Sequence, residues 1–110
     1  MTYKEIFTML ESTDLPVVYH AWKIGEVPAL PYIVFTFPTN NDFMADNTNY
    51  QTIVDLNVEL YTENKDFATE AIVEGVLNSN GIVYGKASMY LDSEDMFETL
   101  YNMEVIISGQ

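Results

Sequence analysis

The chain of 110 residues contains no cysteine, and only 4 of its residues are basic against 17 that are acidic. Without cysteine there is no disulfide framework, thiolate metal site or cysteine nucleophile, which favours an intracellular or assembly-bound protein held together by packing alone. The net charge of −13 disfavours affinity for nucleic-acid phosphates and for anionic membranes, because lysine and arginine supply that affinity. Proteins or basic surfaces are therefore the expected partners.

Long apolar runs are missing as well. No stretch of 18 apolar residues could span a membrane, and the first residues lack the apolar core of a signal peptide. The chain does have 48% hydrophobic and 14% aromatic residues, which is too apolar for a disordered acidic chain. Its length is that of one ordinary domain, so residues 1–110 are expected to form a single domain around one core.

Two segments have the spacing of helices. Apolar residues recur at helical intervals from Tyr3 to Leu10, and Thr2 with Glu5 forms a capping-box pattern. A second helix is predicted over about 65–78, with Asn64 as its cap, Gly81 beyond its end, and Glu70 and Glu74 off its buried side. The stripe predicted to be buried on that second helix consists of Ala68, Ala71, Ile72, Gly75 and Val76.

Five β segments are predicted, at 17–22, 31–38, 53–61, 82–91 and about 97–108. The segment 31–38 is almost continuously apolar, which is typical of a strand covered on both faces. The segment 53–61 alternates, with Leu56 on the buried side and Asp55 on a wet side. The order α-β-β-β-α-β-β predicts an α+β fold in which two helices cover one face of a largely antiparallel sheet.

No catalytic machinery is recognisable. His20 is the only histidine, and no second histidine or paired carboxylate accompanies it at a useful spacing, so we expect a structural or solvent-facing role. The acidic turn around Asp92, Glu94 and Asp95 lacks the spacing of a calcium loop and is expected to be solvated. We therefore predict no enzyme activity, no metal site and no cofactor.

The long polar loop 39–49 contains the apolar pair Phe43 and Met44 between Asp42 and Asp46. Loops of this length inside compact domains are uncommon and are often functional. The pair could contact a partner, with the two aspartates beside it, or it could fold back onto the protein's own core. We retain the partner contact as the prediction.

The predicted strands also carry more apolar surface than two short helices can cover. Burial between subunits would cover the excess, although an ordinary sheet packed under its helices is an equally good interpretation. The candidates for a contact between protomers are Tyr32, Val34, Leu100 and Ile106.

Several segments, in this order and spacing, resemble one known family. They are the opening 1–7, the strand starts 15–20 and 31–34, the loop residues 43–47, the strand 56–61 followed by 65–67, and the closing 103–105. The family comprises the small tail-completion proteins, or tail terminators, of long-tailed bacteriophages and prophages of Gram-positive hosts. The resemblance covers nearly the whole chain, and its motifs are structural rather than catalytic.

The resemblance implies a ring, typically a hexamer, at the head-proximal end of the phage tail. Such a ring caps the last ring of tail-tube protein, ends polymerisation and presents its other side to the head connector. It implies a virion protein assembled in the host cytoplasm, with DNA passing through the lumen. Six copies would carry a charge of 6 × −13 = −78, and carboxylates on the lumen wall would repel DNA phosphates rather than bind them.

Two alternatives belong to other functional classes. An acidic protein could mimic DNA and inhibit a host nuclease or restriction enzyme, which would require carboxylates in two rows at phosphate-like spacing. A small-molecule-binding α+β domain is a third possibility, for which the sequence shows no convergent polar pocket.

Overall fold

The computed structural model describes residues 1–38 and 52–107. The predicted partner-contact loop 39–49, with Asp42, Phe43, Met44 and Asp46, lies outside these residues. The elements are α1 (Tyr3–Glu11), β1 (Val17–Tyr19), β2 (Tyr32–Thr36), β3 (Thr52–Thr62), α2 (Phe67–Ser79), β4 (Gly85–Leu91) and β5 (Met96–Ile107). The predicted α+β fold and its element order are confirmed.

The strands form one five-stranded sheet in the order β1-β2-β3-β5-β4. Only β1 and β2 are parallel, and the other three pairs are antiparallel. The long pair β3 and β5 forms the centre, with partners running from Thr52 and Ile107 at one end to Thr62 and Phe97 at the other. The short strand β1 and the strand β4 therefore occupy the two edges of the sheet.

Helix α1 begins as its sequence predicts. The Glu5 backbone N–H donates to Thr2 Oγ1 at 3.1 Å, and the Thr2 backbone N–H donates to Glu5 Oε1 at 2.9 Å, which completes the capping box. Ile6 and Leu10 are fully buried one helical turn apart. This spacing lays one side of α1 on the sheet.

Helix α2 corrects two predictions. Its cap is Asp66 rather than Asn64, because an Asp66 carboxylate oxygen accepts a hydrogen bond from the Thr69 backbone N–H at 3.1 Å. The buried residues are Glu70, Val73 and Leu77. Most of the predicted stripe is therefore wrong, because Ala68, Ala71 and Gly75 are exposed and Ile72 is half-exposed, whereas Val76 does pack, partly buried, against the core. Val73 and Leu77 are larger than the alanines and fill the core better. Glu70 is buried because Lys65 and Lys86 neutralise its charge.

The core lies between the two helices and one face of the sheet. Residues from both helices and from β2, β3 and β5 belong to a single hydrophobic cluster. Its fully buried members are Ile6, Leu10, Ile33, Leu56, Val58, Leu60, Val73, Leu77 and Tyr101. Both helices therefore pack on the same face of the sheet, as predicted, and neither helix covers the opposite face.

The first β segment is shorter than predicted because the chain turns at its end. His20 adopts a positive φ of 75°, so β1 ends at Tyr19 rather than reaching residue 22. The segment 20–31 then connects β1 to β2 without regular structure, and Gly25 supplies a further left-handed residue at φ 84°. This connector positions the site described below.

Candidate functional site

The face of the sheet turned away from the helices is the candidate site, and we call it the open face. Side chains alternate along each strand, so the residues between the core positions of β3 and β5 point to this face. In register across β3 and β5 its rows are Ile53 with Ile106, Asp55 with Glu104, Asn57 with Asn102, Glu59 with Leu100 and Tyr61 with Glu98. The clean alternation predicted for β3 is confirmed.

The open face is acidic. Asp55 and Glu59 on β3 share it with Glu98 and Glu104 on β5, and no lysine occupies an open-face position in the described strands. Burial and the charge of Glu59 raise the pKa of the Glu98 carboxyl, which is the direction expected for carboxylates gathered at low dielectric. The face therefore presents negative charge to any surface that covers it.

Its margins are apolar. Ile106, at one end of β5, is 50% exposed, and Met89 on the edge strand β4 is 54% exposed. Leu100 between them is half-buried. These side chains, two of them predicted protomer contacts, leave apolar surface for a partner to bury.

The other two predicted protomer contacts are already covered within one chain. Tyr32 and Val34 are only 8% and 7% exposed. The Trp22 ring, from the connector 20–31, packs edge-on against Tyr32 with centroids 5.8 Å apart. This confirms that the second face of β2 is covered, but the cover comes from the chain itself.

A pocket opens on this face between the connector and the turn that joins β4 to β5. Its volume is about 360 Å³, and it is open to solvent. The rings of Trp22, Tyr32 and Tyr61 stand in sequence around it, with the Tyr32 and Tyr61 centroids 5.4 Å apart. The carboxylates of Glu59 and Glu94 also line it, so aromatic surface and negative charge meet in one depression.

The tyrosine hydroxyls of the pocket lie in surroundings that disfavour their ionisation. The Tyr61 hydroxyl donates to Glu59 Oε1 at 2.8 Å. Burial and this hydrogen bond raise the pKa of Tyr61. Burial and the nearby Glu94 charge raise the pKa of Tyr32 in the same way. Each shift reflects an environment that opposes further negative charge.

Sequence reasoning missed this pocket. The sequence pattern predicts that Trp22, the one tryptophan of the chain, ends the β segment 17–22, whereas the structure places it in the connector 20–31. A large aromatic residue in a proline-containing connector is a signal of local packing. The pairing of β2 with β3, which brings Tyr32 opposite Tyr61, could not be inferred from local spacing.

The helix side of the sheet carries a separate ionic cluster. Glu70, which is 1% exposed, lies 2.8 Å from Lys65 Nζ and 2.9 Å from Lys86 Nζ. Lys86 Nζ also lies 2.6 Å from Glu74, which accepts a 2.8 Å hydrogen bond from the Tyr101 hydroxyl. Burial acts to raise the pKa of Glu70, but hydrogen bonds and charge from the two lysines outweigh it, so the net shift is downward. The cluster ties α2 to the edge strand.

An aromatic groove lies beside α1 on the same side as the core. It is lined by Tyr3, Phe7, Tyr19, Phe35 and Phe37, with Lys4 at its margin. The Tyr3 and Phe37 rings meet edge-on at 5.0 Å. The groove is a second apolar surface, formed where α1 meets β1 and β2.

Of the remaining candidate residues, His20 and Glu94 both line the pocket, whereas Asp92 and Asp95 do not. His20 is exposed at the rim of the pocket, and Asp92, Glu94 and Asp95 lie in an exposed turn. Within residues 1–38 and 52–107, no group of three or more histidine, aspartate or glutamate side chains is placed to hold a metal ion.

Comparison with known proteins adds no identification: no family model matches the chain, and no curated protein matches it. Among the described residues, no helix is long and apolar enough to cross a membrane. The geometry of the open face is therefore what bears on function.

Proposed function

We propose that this chain is a tail terminator: a structural protein that forms a hexameric ring at the head-proximal end of a phage tail. It would end tail-tube polymerisation, join the tail to the head connector and act in the virion after assembly in the host cytoplasm. The observation that supports this most directly is the open face, where four carboxylates stand beside exposed Ile106 and Met89. The likeness of the sequence to that family supplies the biological setting.

The two sheet edges support closure into a ring. Strands β1 and β4 lie at opposite edges and differ in length and sequence, so a contact between copies through these edges joins unlike surfaces. Contacts between unlike surfaces produce rings when the rotation closes. Neither edge strand contains an acidic residue, so a contact through these two strands brings no carboxylate of one strand against a carboxylate of the other.

The acidic centre of the open face offers a wall for a DNA channel, and the apolar margins at Ile106 and Met89, beside it, would be buried between protomers. Asp55 faces Glu104 and Asn57 faces Asn102 across the central strands, and Glu104 and Asn102 are exposed. Carboxylates on this wall would repel phosphates, and the asparagines carry no charge that could retain them. DNA would pass without binding. Phe43 and Met44, with Asp42 and Asp46, remain the proposed contact with the adjacent tail-tube or connector ring.

The arrangement of charge gives less support to a DNA mimic. The open-face carboxylates do form two rows, but the rows lie on adjacent strands, which are about 4.8 Å apart. Even the narrower groove of B-DNA is about 6 Å wide, and the wider one is about 12 Å. The rows are therefore too close together to imitate phosphates across a groove.

Native mass spectrometry tests the ring and separates the two functions. Six copies of a 12.6 kDa chain have a mass of about 76 kDa. The chain is measured alone and after mixing with tail-tube protein. The proposal predicts this hexamer and no effect on restriction or nuclease digestion. A monomer or dimer that inhibits a nuclease would contradict it. An Ala71→Ser variant, changed on the exposed side of α2, should form the same hexamer as the parent.

A further inference from the structure

We infer that the pocket on the open face binds the guanidinium group of an arginine from a partner protein. The pocket is built within one chain from Trp22, Tyr32, Tyr61, Glu59 and Glu94, so the inference does not depend on ring formation. It assigns a ligand chemistry to one depression of the open face, which shares only Glu59 with the carboxylates cited for the proposed function.

The aromatic rings supply the first reason. Trp22 and Tyr32 meet at an interplanar angle of 81°, and Tyr61 stands at 39° to Tyr32, so the three rings form adjacent walls rather than one flat stack. Cations are attracted to the faces of aromatic rings, most strongly to tryptophan. Arginine also stacks on such faces through its planar group, which lysine cannot do.

The polar groups supply the second reason. Glu59 and Glu94 place two carboxylates on the lining, and no lysine is among the described residues that line it. Tyr32, on the same lining, is more than nine-tenths buried. A guanidinium group has five N–H donors, enough for both carboxylates together.

The composition indicates where the arginine comes from. All four basic residues of this chain are lysines, so a second copy cannot supply a guanidinium group. The occupant is therefore an arginine side chain of a different protein, and the acidic open face around the pocket favours a basic segment. At about 360 Å³ the pocket is at the small end of ligand sites, which suits one side chain rather than a larger molecule.

The single tryptophan makes the inference directly measurable. Blocked arginine, lysine and citrulline amides are titrated into the full chain at low salt while Trp22 fluorescence is excited selectively. Arginine should give a saturable change with a Kd of about 1 mM or weaker, as expected for one side chain without its protein. Lysine should bind several times more weakly, and neutral citrulline, which has nearly the same shape, should not saturate.

Variants locate the site. Glu94→Gln lies in an exposed turn and should preserve the fold, yet it should weaken arginine binding about fivefold, as should Glu59→Gln. Glu26→Gln, in the same connector but outside the pocket lining, is the matched control and should bind as the parent does. The inference is overturned if arginine gives no saturable change, if citrulline or lysine binds equally well, or if Glu94→Gln has no effect.

Discussion

Lys86 Nζ lies 2.9 Å from Glu70 Oε1, which joins the exposed edge strand β4 to a helix carboxylate that is 1% exposed. The contact explains why α2 turns a glutamate rather than its alanines toward the sheet. Lys65, which precedes the helix, approaches the same carboxylate and donates to Ser88 on β4 at 3.0 Å. The edge strand therefore depends on this cluster for part of its attachment.

Replacing Glu70 with glutamine should destabilise the domain. The substitution leaves two lysines without their buried partner, but both are about one-third exposed and can turn toward water. We expect a loss of about 1–3 kcal/mol in the free energy of unfolding, below the loss seen when fully buried pairs are broken. Urea denaturation measures it. Glu63→Gln, at an exposed position nearby, should change the stability by less than about 0.5 kcal/mol.

The difference in stability between the parent and Glu70→Gln should also depend on pH. The folded-state pKa of Glu70 is lowered, so its stabilisation is fully present above the unfolded pKa of about 4.3 and is lost as pH falls through the folded value. The stability difference between the parent and Glu70→Gln should stay constant from pH 7 to about pH 5 and shrink below about pH 4. A difference that grows on acidification would show that the carboxylate is not stabilised by the lysines.

Changing Ile106 to aspartate should separate folding from assembly. The side chain is 50% exposed on the open face, whereas its neighbour Val105 is 6% exposed in the core. Ile106→Asp should cost less than about 1 kcal/mol of stability but abolish the hexamer, because it places a charge in the proposed protomer contact. Val105→Ala should do the reverse, lowering stability by about 1–3 kcal/mol while rings still form. Urea denaturation and native mass spectrometry give the two readouts.

The double change Phe43→Ser with Met44→Ser tests the proposed contact with the neighbouring ring. Each buried apolar side chain is worth about 1.5–3 kcal/mol, so losing both should sharply reduce the joining of heads to tails. The domain should remain folded by circular dichroism. Ile72→Ser, which removes a half-exposed apolar side chain from α2, is the control and should leave virion yields unchanged. Normal yields from the double variant would refute the contact.

The fold was largely predictable because its signals are local. The capping box of Thr2 and Glu5 and the alternation around Leu56 each fix an element without reference to distant residues. The buried side of α2 was not predictable in this way. Glu70 is buried only because Lys65 and Lys86 approach it, and Lys86 arrives from a strand that follows the helix.

The candidate site was predictable only in part. Leu100 and Ile106 were identified from the apolar excess of their strand, and both lie on the open face. The pocket depends on Tyr32 pairing with Tyr61 across strands and on Trp22 returning over them, both of which are long-range contacts. Tyr32 and Val34 were correctly identified as needing cover, but spacing alone could not show that the connector provides it.

Electron microscopy of tail tubes assembled with and without this chain tests the central proposal most directly. Purified tail-tube protein is allowed to polymerise in the presence of increasing amounts of the chain, with Ile106→Asp as the control. We predict tubes that shorten as the chain is added and that end in a six-fold ring, while the variant leaves the tubes long and uncapped. Tubes of unchanged length with no ring at either end would contradict the proposal.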